Sequence, residues 1–309
     1  MSPSPVAKSL SFAVMVAIWG TTWSVIRVGL HGIPPLTGVA LRFALAGGVL
    51  WVVAWSIGLR GERLRAPLWL WTVQGLLTFA VCYGLVYWAE QWVPSGLTAL
   101  LFATFPLWVA VLSHFFLPGE RMQPIGVAGL VVALVGVALL FSQDLASLGG
   151  PRVLFASAVT LLAPLSSAVA QTIVKRRGKS VHPITLNAGG MVVCALVIGT
   201  LAFLFERGRP VRFDLVSVSA LLYLSLFGTV VTFSLYFWML QQVTATRLSL
   251  IAYCIPVVAV VVGALALDEP VTLQLLLGGL LVVLGTAVAS IRRRPSERSS
   301  PATPQQRPA

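Results

Sequence analysis

Polar groups are scarce in this chain, and where they stand limits what chemistry it could do. Arg42, Glu90, Gln91, Gln171 and Gln241 interrupt or border long apolar runs. Beside them stand Trp19, Thr22, Trp23, Tyr83, Tyr87, Phe102, Ser167, Phe237 and Tyr253. Covalent catalysis needs a nucleophile with a base, or an acidic metal cluster. The sequence has no GxSxG, no HExxH and no Asp cluster, so it does not read as an enzyme. His31, His114 and His182 are far apart, and Cys82, Cys194 and Cys254 sit singly in apolar runs. No metal site, disulfide framework or cofactor is expected from them. What remains is the handling of an intact solute. Tyr83 and Tyr87 share a helical face at i, i+4 spacing, and Gln91 continues it. Such a face suits an amphipathic organic molecule, through stacking and hydroxyl hydrogen bonds. Thr22, Ser167, Thr172 and Tyr253 could add hydrogen bonds, although Ser and Thr in helices often bond their own backbone.

Charges among these groups are costly. An arginine at the centre of a membrane helix costs about 2.5–3.5 kcal/mol on insertion scales. Arg42 lies seven residues past Pro35, roughly 10 Å below the outer surface at the helical rise. It is expected to pair with Glu90 at the outer mouth, as a gate, or to hold a substrate carboxylate. Arg27 is expected to snorkel to the outer interface. Glu120, Asp268 and Glu269 fall at helix ends, where capping and turn formation in water are the expected roles. No carboxylate falls near the midplane, so any proton coupling would run through Glu90. His114 reads as a packed interfacial residue. Trp55, Trp69, Trp71 and Trp92 read as belt anchors.

The elements that must position these groups follow from composition. Of 309 residues, 58% are hydrophobic and only 10% charged, against about 25% charged in an average soluble domain. That excludes soluble enzymes, nucleic-acid binders and disordered scaffolds. The chain must cross a membrane as helices or as a closed barrel. Ten apolar segments are long enough to span, at 9–30, 34–57, 67–91, 95–117, 124–141, 152–174, 183–205, 214–240, 245–267 and 271–291. The first is too long for the apolar core of a signal peptide. Prolines 34, 35, 94, 124, 183 and 270 mark starts, where proline loses no helical bond. With the N-terminus inside, fifteen of the 21 basic residues fall on the inner side, four fall outside, and Arg27 and Arg42 lie within helices. This asymmetry predicts both termini cytoplasmic and accounts for the net charge of +12 without nucleic acid.

The chain also repeats itself. At an offset of 148 to 150, Arg27 meets Lys175, Trp88 meets Trp238, Gln91 meets Gln241, Pro106 meets Pro256, Glu120 meets Glu269 and Gly136 meets Gly285. Gln171 takes the repeat position of Trp23, and Phe233 and Phe237 take those of Tyr83 and Tyr87. Five helices per half is an odd number, so the second half must enter the membrane upside down. Inverted repeats are typical of secondary transporters with a midplane site. Pro106 and Pro256 fall at equivalent mid-membrane points and free the carbonyls of Phe102 and Ala252, so both are expected as hinges lining a cavity. Small residues mark the fifth and tenth segments, including Gly129 with Ala133 and Gly285 with Ala289. They allow close helix contact, within the bundle or across a homodimer.

Taken together, WGTTW at 19–23 with Arg27, LRF at 41–43, Pro106 followed by Gly119-Glu120, and Pro256 followed by Asp268-Glu269 resemble the EamA-type transporters of the drug/metabolite transporter superfamily. The resemblance spans about residues 9–290. It implies an all-α polytopic membrane fold of ten helices in two inverted five-helix repeats, at 9–145 and 150–291. Residues 1–8 form a short cytoplasmic tail and 292–309 a basic, disordered one. It also implies a plasma-membrane carrier, in the export direction, for a small organic metabolite such as an amino acid or a related amphipathic compound, working by alternating access around a central cavity. An uncoupled facilitative channel or a multidrug efflux permease is the alternative. The expected partners are a small-molecule substrate and the lipid bilayer, with no cofactor. One departure stands out: the position matching Arg42 in the second half is Gly190.

Overall fold

A computed structural model describes residues 4–59, 67–118, 122–142, 150–178, 181–240 and 251–289. Among these, all regular structure is helical. Eight helices are long and apolar enough to cross a membrane. They are α1 (Pro5–Gly29), α2 (Pro35–Ser56), α3 (Leu68–Ala89), α4 (Ser95–Phe116), α5 (Pro124–Phe141), α6 (Pro151–Arg177), α7 (Pro183–Phe205) and α8 (Leu215–Tyr236). Two shorter apolar helices complete the set, α9 (Ile251–Leu267) and α10 (Leu273–Ala289). Glu120, Gln241 and the tail from 292 lie outside the described residues, as does the side chain of Phe237.

Local sequence sets the helix starts. Pro5, Pro35, Pro124, Pro151 and Pro183 occupy first turns, where the missing N–H has no partner to lose. The α1 start lies upstream of the expected one because Ser4 caps it, its Oγ accepting from the Ala7 N–H at 3.2 Å. Asp214 caps α8 by accepting from the Ser217 N–H at 2.8 Å.

Four helices depart from regular α geometry, and one of them, α6, is interrupted at Leu161 between Thr160 and Leu162. The α4 helix breaks between Phe102 and Phe105, and Pro106 sits in the first turn of the second piece. Its repeat mate Pro256 lies inside an unbroken stretch of α9, so the two prolines are not equivalent in shape. The remaining departure is shared by α3 and α8. Each contains a π-helical segment, Gln74–Val81 in α3 and Tyr223–Val231 in α8. Their first residues are 149 apart, the offset of the sequence repeat.

Helix pairing has the symmetry of two related halves. The α5 helix packs on α10 and α2 on α7, each pairing mapping onto itself. The α1–α9 contact is matched by α6–α4, and α3–α7 by α8–α2. The small-residue faces of α5 and α10 meet each other. A Cβ on Gly136 would come within 2.6 Å of the Val282 backbone nitrogen and 2.7 Å of the Gly278 carbonyl. One on Gly285 would land on the backbone nitrogen of Ala133. With no hydrophobic drive between helices in lipid, this backbone-to-backbone approach supplies the packing.

Gly285→Ala is therefore expected to lower the thermal unfolding midpoint in detergent, by a loss of about 1–3 kcal/mol. Gly48 in α2 faces open space, and Gly48→Ala is expected to hold or slightly raise the midpoint. Light-scattering or fluorescence melts of the two variants check the contrast.

Candidate functional site

The site is built around α2. Its buried residues Gly38, Val39, Arg42, Phe43, Ala46, Gly47, Leu50 and Ala54 form one helical stripe, spaced as a core-facing helix requires. Arg42 is the charged member of that stripe and is fully buried. The stripe is fixed at the N-terminal end of α2 by Glu206 from the α7–α8 connection. The Glu206 carboxylate accepts from the Leu36 N–H at 2.9 Å, the Thr37 N–H at 2.8 Å and the Thr37 hydroxyl at 2.7 Å.

Arg42 does not pair with Glu90, contrary to the expectation from sequence. Its Nη1 donates to the Tyr87 hydroxyl at 3.3 Å. Its Nε and Nη2 donate to Thr229 Oγ1 at 3.3 and 3.2 Å. The guanidinium also lies over the Tyr83 ring, 4.8 Å from its centroid, and 5.5 Å from that of Phe43. Both hydroxyls are neutral, so the cation rests on dipoles and π faces, with no carboxylate on it. Cation–π contacts contribute about 0.5–2 kcal/mol each, and hydrogen bonds from a charged group about 1.5–3.

Thr229 was not singled out from sequence, and the reason is the π segment of α8. There its hydroxyl donates to the Leu224 carbonyl five residues back, at 2.8 Å, which turns the oxygen lone pairs toward Arg42. Gly228, next to it, accepts at its carbonyl from Trp19 Nε1 at 3.3 Å. A Cβ on Gly228 would come within 3.4 Å of Thr22 Oγ1 and 3.5 Å of Arg42 Nη2. Helices α1, α2, α3 and α8 thus converge at this point.

The other expected site residues divide. Trp19 is half-buried and packs on Phe233 and Tyr236. Trp23 is buried against Phe102, and its indole N–H has no hydrogen-bond partner. Phe102 stacks on Phe105 at the α4 break. Thr22 bonds its own helix at Ile18. Ser167 lies buried beside the Cys82 thiol, and its neighbour Ser166 donates to the Leu77 carbonyl in the α3 π segment at 2.8 Å. Tyr253 is half-buried on α9. Gln91 falls away from the site. The α3 helix ends at Ala89, so Gln91 turns outward and donates to the Trp88 carbonyl. Gln171 is exposed on α6.

The same end of the bundle holds a second network. Arg27 does not snorkel. It donates to the Val93 carbonyl at 2.7 Å and lies 3.6 Å from Glu269. Glu269 is not in water either. Asp268 takes a left-handed turn, at φ 52°, and the next side chain swings onto the α4 N-terminus. There the Glu269 carboxylate accepts from the Ser95 N–H at 2.7 Å, and from the Ser95 hydroxyl and the Gly96 N–H at 3.0 Å each. Anionic side chains at helix N-termini are favoured by the dipole and the free N–H groups. His114 accepts from the Met122 N–H at 2.9 Å and braces the α4–α5 turn. Trp71 turns inward against Trp51 and Gly189 instead of anchoring at the interface.

A family model described as the EamA-like transporter family matches residues 8–142 and 154–291. The chain belongs to the EamA-like transporter family. The two matched segments are its two repeats, and the fold is the two-repeat polytopic membrane fold of that family. Uncharacterized transporter YoaV of Bacillus subtilis is 30% identical over 89% of this chain and 94% of its own length. Uncharacterized inner membrane transporter YedA of Escherichia coli is 33% identical over 82% of this chain and 80% of its own. Protein PagO of Salmonella typhimurium is 30% identical over 82% and 83%. A crystal structure described only as that of a protein superposes with a TM-score of 0.66 at 24% identity, over 93% of this chain and 97% of its own, and supports the fold.

In this EamA-family chain the position matching Arg42 is occupied for a packing reason. Gly190 is where α7 touches α3: a Cβ there would come within 3.0 Å of the Gln74 side chain and 3.2 Å of the Gly75 nitrogen. Any side chain there would press on both neighbours, and the cationic spot exists once.

Thr229→Val keeps the shape of its residue and removes the acceptor of two Arg42 N–H groups. It is expected to cost about 1–3 kcal/mol of stability. Thr22→Val, whose hydroxyl serves only its own helix, is expected to stay within about 0.5 kcal/mol. Unfolding of the two purified variants in the same detergent checks the difference.

Proposed function

We propose that this membrane transporter is a secondary carrier. It moves a small organic metabolite, an amino acid or a related amphipathic compound, out of the cell across the inner membrane by alternating access around a central cavity. One observation carries this reading: Arg42 is fully buried without a carboxylate on it. Its hydrogen bonds use three of the five guanidinium N–H donors, so two remain for an incoming acceptor. A solute carboxylate is the group that best completes such a site, through a charge-assisted hydrogen bond. Trp19, Tyr83 and Tyr87 supply aromatic walls for the rest of the molecule, and the unpartnered Trp23 N–H supplies a further donor.

The outer network of Arg27, Glu269 and Ser95 supports a closed outer gate. Opening it requires α4 and the α9–α10 turn to part. The α4 break at Pro106 and the paired π segments supply points where helices can change shape, since π turns carry weaker regular bonding and gather at functional sites. Both termini lie in the cytoplasm on this reading, as the charge asymmetry requires.

Untargeted metabolite profiling of the medium tests it, with cells expressing the protein set against an expression-matched Trp19→Ala/Tyr87→Ala variant. One chemical class, carrying a carboxylate, is expected to accumulate with the intact protein alone. Arg42→Ala is expected to lower that accumulation at least about tenfold, from the loss of a buried charged hydrogen bond worth 2 kcal/mol or more. Arg42→Lys is expected to retain part of it. Accumulation unchanged in Arg42→Ala would remove Arg42 from the site.

A further inference from the structure

Glu90 is the least satisfied charged side chain in the described structure. It ends α3, one turn beyond Tyr87, and is 1% exposed. Neither of its carboxylate oxygens has a hydrogen-bond partner. The charged groups that act on it come from three other elements: Glu269 from the α9–α10 turn, Arg27 from α1 and Arg42 from α2. Both arginines are engaged elsewhere. Arg27 serves Val93 and Glu269, and Arg42 serves Tyr87 and Thr229. Glu269 is a like charge whose oxygens are taken by the α4 N-terminus.

Burying an ionised carboxylate without a hydrogen bond is among the costliest arrangements a protein can hold, and the usual resolution is to bind a proton. A second carboxylate nearby pushes the same way. We propose that Glu90 is a proton-binding site, protonated while the outer end is closed and ionised when it opens. Opening would bring water to the carboxylate and free Arg27 from Glu269, and both changes favour the charged form. One proton then leaves toward the outside on opening and returns on closing. This rests on the carrier reading, since closed and open are that carrier's two states.

The coupling can be measured without a substrate. Infrared spectra of the purified protein in lipid nanodiscs are expected to show the carbonyl stretch of a protonated carboxyl at neutral pH, absent in Glu90→Gln. Val93, fully buried at the same end, supplies the second readout. Labelling of a Val93→Cys variant by a membrane-impermeant maleimide is followed at that position by peptide mass spectrometry, with and without Glu90→Gln. The ratio of the two rates cancels the thiol's own titration. It is expected to rise with pH by up to about tenfold per unit, the limit for one linked proton.

Identical infrared spectra, or a flat rate ratio, would overturn the proposal. So would failure of Glu90→Gln to fold, because the amide copies the neutral acid that the site is said to hold. If both readouts behave as expected while profiling finds no exported solute, the proton site stands and the carrier reading fails.

Discussion

A cation held inside a low-dielectric bundle without a counter-ion constrains most of what surrounds it. Arg42 can sit in the buried stripe of α2 only if oxygen dipoles and ring faces reach it from other helices. Tyr83 and Tyr87 must therefore lie on the inner face of α3, and Thr229 must present its lone pairs from α8. Those demands set the rotation of α3 and α8 about their axes. The π segments adjust that rotation. A π turn shifts every later side chain around the helix, and Tyr83 and Tyr87 follow directly after the first such segment. In the second, the widened turn lets the Thr229 hydroxyl reach the Leu224 carbonyl, and this orients it toward Arg42.

The helix ends that meet near Glu206 and Glu269 obey a related rule. A helix N-terminus buried among other helices leaves N–H groups that water cannot reach. Glu206 satisfies those of α2, and Glu269 those of α4. Both carboxylates come from connections in the second half and cap helices in the first. The two halves are therefore tied together at one end by charged caps. Arg27 adds to one of these ties, because its ion pair with Glu269 reaches over from α1. The caps belong to stability and to the position of this end of the bundle at once.

The sequence made some of this legible and hid the rest, for identifiable reasons. Lipid forces every backbone group into helices, so segment number, segment length and the repeat could be read from apolar runs and matched landmarks. The close contact of Gly129, Gly136, Gly278 and Gly285 follows from residue size alone. Side-chain partners across helices have no such signature. Gln91 continues the Tyr83–Tyr87 face only while α3 continues, and α3 stops at Ala89. The sequence sends Arg27 to the interface and Glu269 to water, because neither position reveals that a left-handed turn at Asp268 folds one back toward the other. Thr229 was missed because nothing in YLSLFGTVV announces a π turn, and only the turn gives the hydroxyl its role. The break in α4 followed from Pro106. The continuity of α9 through Pro256 did not, since proline permits a break without compelling one.

The symmetry of the fold and the asymmetry of its centre point to a division of labour. Much of what shapes or joins the helices occurs in matched form: the π segments, the α5–α10 and α2–α7 contacts, and the exchange of partners between α1–α9 and α4–α6; the break in α4 does not, since α9 is continuous. The cation occurs once, and its counterpart is filled by the contact of Gly190 with Gly75. An inverted repeat built from equal halves has two related conformations that differ chiefly in which end is closed, and matched deformable segments let each half adopt the other's shape. A recognition group cannot be duplicated at such a centre without placing two guanidinium groups side by side in a medium that barely tolerates one. Close packing at Gly190 removes that conflict. It leaves a single buried guanidinium between helices of the two halves, reachable in turn from either end on the proposed cycle.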